Sequence, residues 1–566
     1  MDNHPISELL SEIGVFLELL GENVFKIRAY ENAARAVDTY PGRIADLDEK
    51  QLQEIPGIGK AISEKIHTYC ATGRLAYYEE IKAQIPPGLV EMLRIPSLGP
   101  KRTRLLHDKL KISTVTELEE ACKGNRLAGL DGFGEKSQTK ILDGIQLLST
   151  FKDQHLLADV LPLAELLVAH LKKCKAARRI EIAGSLRRRK KIVKDMDIVV
   201  SSDRPDDVSA WFVKADGVSD VIGSGETKTS VRLDGKIQAD LRIVKDVEFP
   251  YALHHFTGSK AHNIAMRSLA KDRGLKISEY GVFKGNRRIA AKDEEAFFKI
   301  FKLDFIPPEL REDRGEIEAA AEGRLPDLIT ENDVRGVFHV HTTWSDGKAS
   351  IEAMADAAKS RGYSYLAITD HSKTSSYANG LSEERLNKQI SEIAALNKKN
   401  PGIRILTGSE VDILPDGTLD YDDAMLEKLD VVIAAIHSNF GMKSDEMTKR
   451  ICRALEHPRV NILAHPTGRL LLSRPGYEFD WEAVLRCAAK HGKAIELNAN
   501  PQRLDIDPAN AKRAAELGVK ISINPDAHRV EGLDDMRFGV SAARRGWLTK
   551  KDVINTLRVE KVLGKT

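Results

Sequence analysis

Seven apolar, strand-like runs alternate with helical stretches between residues 334 and 566, and every candidate metal ligand there falls near the C-terminal end of a run. The runs are GVFHVHT, YLAITDH, RILTGSEV, DVVIAAIHS, NILAHPTG, AIELNAN and KISINPDAH. Strands alternating with helices call for a parallel sheet, and the C-terminal ends of its strands are where a barrel builds its active site. The candidates are His339, His341, His371, Glu410, His437, His465, Asp526 and His528, with Asp346 of TTWSDG as a looser member. One such histidine would be an ordinary structural residue, but six distributed this way call for a metal centre. An imidazole-rich set favours Zn²⁺ or Mn²⁺ over Mg²⁺. His457 and His491 lie in helical stretches outside these runs and are read as structural.

A second centre lies between Gly184 and Asp197, GSLRRRKKIVKDMD. Asp195 and Asp197 are spaced i, i+2 in a predicted strand, which puts both carboxylates on one face. Eleven Lys and Arg lie between Lys172 and Lys194 against one acid, Glu181, so anions are drawn to the pair. The strands RIEIAG, DMDIVVS, VRLDG and KIQADLRIV, preceded by a helix from Ala158 to Lys173, make a mixed α/β unit, and Asp234-Gly235 is a hairpin turn signal. That hairpin brings Asp240 to the sheet as a third carboxylate, with Arg242 on its face. Three convergent acids can hold two Mg²⁺ ions for phosphoryl transfer, with Ser185 and Arg188 gripping the outer phosphates. Downstream, HHFTGSKAHNIAMR turns into a helix at Thr-Gly-Ser, and Asn263 and Arg267 share one helical face. Their donors could reach minor-groove acceptors that every correct base pair presents.

Residues 1 to about 85 are helical in pattern and end in LQEIPGIGKAISEKIHTYCATG. In this helix, turn, helix layout Gly57 and Gly59 let the backbone approach a phosphate, and free N–H groups at the next helix start, beside Lys60, bind it. The pattern recurs around Gly99, where Ser97 replaces the first glycine, and around Gly132 and Gly134. Three phosphate clamps favour nucleic acid as partner, because phosphate contacts position a duplex without reading it. From Ile306 to Thr330 the chain turns proline-rich and charged, with a short helix at Glu316 to Glu322, and reads as a linker. At 566 residues the chain is too long for one core. Lys plus Arg is 86 against 84 Asp plus Glu, so overall charge says nothing for nucleic acid, and only local basic patches do. Five scattered cysteines without a CxxC suit a reducing cytoplasm and argue against a disulfide framework or a zinc ribbon. No apolar run approaches membrane length, and MDNHPISELL is no signal peptide.

Residues 1 to about 315 resemble family X DNA polymerases, the group typified by DNA polymerase beta, through GS…R…DMD, Asp240 in DLR, the FTGS turn, Asn263, Arg267 and the hairpins. The resemblance implies Asp195, Asp197 and Asp240 as catalytic metal ligands for Mg²⁺ or Mn²⁺. It implies Gly184, Ser185, Arg188, His255, Phe256, Gly258 and Asn263 as the nucleotide site, beside which Lys194 and Lys260, departures from the family pattern, add positive charge. It implies Gly57, Gly59, Lys60, Gly99, Gly132, Gly134 and Arg267 as DNA contacts, with K⁺ or Na⁺ on the carbonyls around Gln53, Ile55, Ile58, Leu93, Ile95 and Leu98. Lys65 falls at the lyase position of beta-type members, for 5′-deoxyribose phosphate or AP-site chemistry; a solvated lysine that steers DNA is the other reading. His255 stands where polymerase beta has Tyr, which bears on ribose discrimination, while Lys194 replaces a Gly and Lys260 an Asp.

Residues 334–566 resemble the PHP (polymerase and histidinol phosphatase) superfamily, a distorted seven-stranded barrel with a three-metal phosphoesterase site, through HxHTxxSDG, TDH, GSE, IHS, AHP and DAH. That resemblance implies Glu410 as a bridge, His339, His341 and Asp526 on one metal, His437 and His465 on another, and Asp346, His371 and His528 on the third. The expected architecture is multidomain α and α/β. It comprises helical helix-hairpin-helix domains (1–85 and 86–150), a nucleotidyltransferase palm (151–245), a nucleotide and base-pair sensing domain (246–315), a linker (316–333) and a (β/α)7 PHP barrel (334–566). The expected function is a bacterial-type, gap-filling repair polymerase, as in base excision repair, fused to a 3′-5′ exonuclease. It would act as a cytoplasmic monomer on gapped or nicked DNA and dNTPs, alongside other DNA repair proteins. The alternative is a DNA-end-binding repair protein whose barrel acts on small phosphate esters.

Overall fold

The computed structural model describes residues 3–38, 40, 42–96, 98–151, 153–399 and 402–564; Ser97, which interrupts the second hairpin, lies outside them. The chain forms two compact units, Met1–Lys152 with Leu472–Arg474, and Asp153–Leu471 with Pro475–Thr566. Among the described residues no helix is long and apolar enough to cross a membrane.

The first unit is helical. Its opening helix, Asn3–Leu20, buries Ile6, Leu10, Ile13 and Leu17, the spacing of one helical face, against Ile27, Tyr30, Ala33, Ala34 and Val37 of Val24–Asp38. One apolar cluster runs on through Ile141 and Ile145, so both hairpin regions share a core. The helices Lys60–Thr72, Pro100–Leu110 and Glu135–Thr150 start at Gly59, Gly99 and Gly134, none with a side-chain cap. Their first N–H groups are therefore left to another acceptor. A Cβ at Gly59, Gly99, Gly132 or Gly134 would meet nothing within 4 Å, so these turns lie open to a close approach.

In the second unit a five-stranded sheet runs in the order Ile180–Ile182, Asp195–Ser201, Ile237–Val244, Lys228–Leu233, Val218–Ser224. The hairpin turn forms at Asp234 and Gly235, both at positive φ, as a tight turn between twisted strands requires. The edge strand Val218–Ser224 has no counterpart among the predicted strands; it is largely exposed and irregular in register, so no apolar alternation marks it. Two helices, Phe249–Thr257 and Lys260–Asp272, lead to a three-stranded sheet and a core of Tyr251, Met266, Phe297, Phe298 and Phe301.

The seven expected parallel strands are all present and pair in sequence order: Gly336–Val337, Tyr365–Ile368, Arg404–Asp412, Val431–Ala435, Ile462–Leu463, Ala494–Asn498 and Ile521–Asn524. A parallel bridge between Val340 and Ala527 joins the first strand's extension to the last, which nearly closes the barrel. Segment 316–333, read from sequence as linker, is packed down. Glu316 is fully buried and accepts from His262 Nδ1 at 2.7 Å, and Leu328 bridges to Thr549. The palm's apolar core is continuous with the barrel's. Lys191–Asp507 and Arg544–Glu309 pairs at 2.5 and 2.7 Å flank that junction.

Candidate active sites

Parallel pairing of Asp195–Ser201 with Ile237–Val244 sets Asp197 directly beside Asp240 and Asp195 beside Gln238. Pleating then turns Asp195, Asp197 and Asp240 to one face. Burial, followed by repulsion from Asp195 and Asp240, pushes the Asp197 carboxyl up to about 7, and Asp195 is raised by burial and then by Asp240. At Asp240 burial acts in the same upward sense but loses to hydrogen bonds from Lys228 (2.7 Å), Ser230 (2.7 Å) and Gln238 (2.9 Å), which hold it low. A carboxylate set that resists its own ionisation is one that divalent cations would neutralise. Lys228, a cation on the third carboxylate, escaped the sequence reading. The antiparallel hairpin pairs it with Arg242 and pairs Ser230 with Asp240, and that register is its only sequence signal.

Gly184 sits at φ +61°, and a Cβ there would lie 2.3 Å from Asp197 Oδ2. Glycine is thus required twice, by its backbone and by its neighbour. Ser185 follows in a one-turn helix, Gly184–Arg187. Arg188 donates to the Thr257 carbonyl and, through Nε, to Glu312 at 3.1 Å, while Gly258 lies close enough that a Cβ would stand 3.1 Å from Arg188 Nη1. The structure therefore brings Arg188 to the Phe256–Ser259 turn, and adds Glu312 and the barrel's Arg545, which donates to Glu312 and to the Arg188 carbonyl. Asn263 donates to the His255 carbonyl at 2.8 Å, and the His255 ring packs edge-on against Phe256. Arg267, Lys194 and Lys260 are exposed. Lys65, in the first unit, is half-buried, with Nζ on the Ala61 carbonyl at 3.0 Å and 4.6 Å from the Tyr77 ring centre.

At the barrel mouth Glu410 is the hub. Its carboxylate lies 2.7 Å from His371, 2.8 Å from His465, 3.3 Å from His437, 3.4 Å from His339 and 3.7 Å from His341. Three groups are compact enough to share an ion each: His339, His341 and Asp526; His341, Asp346, His371 and His528; and His371, Glu410 and His437. His465 reaches Glu410 without joining the third group. His339 Nε2, both nitrogens of His341 and Glu410 Oε2 are buried without a hydrogen-bond partner, which suits a set whose partner is a metal. Burial opposes charge on His437, but Glu410 and Asp412 outweigh it and lift it to about 10; burial, then His528 and His371, depress His341 to about 3. A divalent ion would displace such protons.

Sequence reasoning missed the groups that orient these ligands. Glu496 binds His339 Nδ1 and Asp412 binds His437 Nδ1, both at 2.7 Å. Asp370 of TDH, fully buried, accepts from Thr342, Ser345 and Gln389 and braces the loop after His341. Asp370 stands inside the TDH motif and Glu496 inside the run AIELNAN, where an acid in an apolar strand was its signal, whereas Asp412 falls one residue past RILTGSEV.

Comparison with known proteins agrees with this layout. Residues 1–75 match the helix-hairpin-helix domain, 89–146 the SAM-like helix-hairpin-helix tandem, 252–312 the DNA polymerase beta thumb and 338–500 the PHP domain. The chain is 41% identical over 566 residues, 99% of both chains, to the DNA polymerase/3′-5′ exonuclease PolX of Bacillus subtilis (strain 168). It is 32% identical to a probable phosphatase of Thermoanaerobacter sp. (strain X514), over 38% of this chain and 89% of that one. A probable phosphatase of Syntrophotalea carbinolica is 28% identical over 38% of this chain and 90% of its own.

Proposed function

The chain belongs to the PolX family of DNA polymerases/3′-5′ exonucleases, and on that premise we propose a gap-filling repair polymerase that trims 3′ ends at its barrel before extending them. The observation that carries the polymerase reading is the register that sets Asp197 beside Asp240 with Gly184 pressed against Asp197. Divalent metals, Mg²⁺ or Mn²⁺ at Asp195, Asp197 and Asp240 and Mn²⁺ or Zn²⁺ among the barrel histidines, supply charge neutralisation and an acidified hydroxyl or water. The protein's own groups do the rest. Arg188, at the turn containing Gly258, and Ser185, in the one-turn helix before it, hold the outer phosphates of a dNTP. Lys194 and Lys260 add positive charge there, and the His255–Phe256 pair faces the sugar. Asn263 and Arg267 lie toward the new base pair. The open glycine turns of the hairpins hold the DNA backbone, with K⁺ or Na⁺ on their carbonyls. At the barrel, Glu496 and Asp412 fix the tautomers of His339 and His437 so that each offers Nε2 to the centre.

A packed linker and a continuous core support coupling by fixed geometry instead of loose tethering. The test is one gapped duplex with a mismatched 3′ end, incubated with the full chain in Mg²⁺ or Mn²⁺. Shortening followed by extension is expected; a primer neither shortened nor extended overturns the reading. The probable phosphatases among its relatives favour a second reading of the barrel, on small phosphate esters. Efficient ester hydrolysis by a chain that never shortens the primer would establish it. Borohydride trapping of a 5′-deoxyribose phosphate end, lost in Lys65→Ala, tests the lyase role of Lys65.

A further inference from the structure

The barrel helices Ser444–Glu456 and Trp481–His491 follow consecutive parallel strands and run side by side in the same direction. Each carries a ligand-type pair one turn apart, Cys452 and Glu456 on the first, Cys487 and His491 on the second. Residues four apart share a helical face. The register brings Cys487 to Cys452, whose carbonyl accepts from the Cys487 thiol at 3.6 Å, and brings Glu456 to His491. Ligand atoms of Glu456, Cys487 and His491 all lie within 4.8 Å of one another. None of the four belongs to the barrel-mouth cluster.

Two further observations point to a cation. His491 Nε2 is buried without a hydrogen-bond partner, a cost a structural histidine would normally avoid. Glu456 and His491 are also the last residues of their helices, where the aligned backbone dipoles place partial negative charge.

We propose that Cys452, Glu456, Cys487 and His491 form a zinc site that clips these two helices together on the outside of the barrel. Glu456, Cys487 and His491 supply three donors already close together, Cys452 on the same face as Glu456 is the fourth, and thiolate, imidazole and carboxylate are all groups that Zn²⁺ takes in tetrahedral sites. Each thiol gives up its proton to solvent as the metal binds, and no electron is exchanged.

Cobalt(II) separates this site from the others, because neither the barrel-mouth cluster nor the palm carboxylates include a cysteine. The reduced, chelator-stripped full chain titrated with Co²⁺ should develop a thiolate-to-cobalt charge-transfer band that Zn²⁺ bleaches. Cys487→Ser should abolish it as an ordered site, Cys452→Ser should reduce it to about half, and His491→Ala should weaken cobalt binding about tenfold or more. His341→Ala, which disturbs the barrel mouth alone, should leave the band intact. No band in the wild-type chain, a band that survives Cys487→Ser, or an affinity unchanged by His491→Ala would overturn the assignment.

Discussion

Replacing Gly184 with alanine tests the polymerase site through one methyl group. The new Cβ would fall 2.3 Å from Asp197 Oδ2, where real Cβ contacts essentially never come below 3.0 Å. Either the carboxylate or the Gly184 turn must therefore retreat by roughly 0.7 Å, and misplacing a catalytic group by about 1 Å costs on the order of 10²-fold in rate. The φ of +61° adds about 1 kcal/mol of backbone cost for any residue with a Cβ. That is too little to unfold a unit of this size, so the defect should be local. Single-nucleotide extension on a gapped duplex, measured as kcat at saturating dNTP, should fall between tenfold and several hundredfold. Exonuclease rate in Mn²⁺ and thermal midpoint should barely change, because the barrel ligands are untouched. Native extension by Gly184→Ala would refute the claim that this glycine exists to make room for Asp197.

Asp197→Ala or Asp240→Ala should lower nucleotide incorporation by on the order of 10³-fold or more while primer degradation persists, and Glu410→Ala or His341→Ala should do the reverse; loss of both activities in any of them would show that the two sites are not separable. Glu496→Gln weakens the acceptor on His339 Nδ1, so metal affinity at the barrel mouth, read by chelator competition, should drop about 10- to 100-fold; an unchanged affinity would make Glu496 a mere core acid. Burial alone would raise the Glu294 carboxyl, but Arg311 and Arg187 outweigh it and lower it from 4.5 to about 2. The stability from this depression is fully present above pH 4.5 and lost as pH falls through 2. It amounts to roughly 3 kcal/mol, so acid unfolding of Glu294→Gln should lack that pH dependence, and an identical acid transition would sink the assignment. Lys194→Gly should reduce dNTP affinity several-fold without DNA and less so at high salt, as an exposed charge acting at a distance must; equal affinity would mean that this lysine does not act on the nucleotide.

Local pattern alone determined which residues the barrel strands present at their ends, because strand length, apolar content and a following turn are properties of contiguous sequence. The same holds for the acid pair Asp195 and Asp197, where a period of two leaves no choice of face. The hairpin glycines were legible because the turns at Gly57 and Gly132 need positive φ and each following helix starts on a glycine that offers it no side-chain cap, a pattern that contiguous sequence spells out. What only the tertiary structure decided is what meets across long sequence distances. Lys228 reaches Asp240 through a hairpin register, Glu496 reaches His339 across 157 residues, and Arg545 reaches Arg188 across 357. The charged stretch from 306 to 330, with its prolines, signals a linker, yet Glu316 within it is buried, held by the N–H groups of Asp313 and Arg314 and by His262, a partner that no local window contains. Cys452 and Cys487 looked scattered for the same reason: helix-to-helix register is set by how barrel strands order their crossovers, and that is a property of the closed sheet, not of either helix.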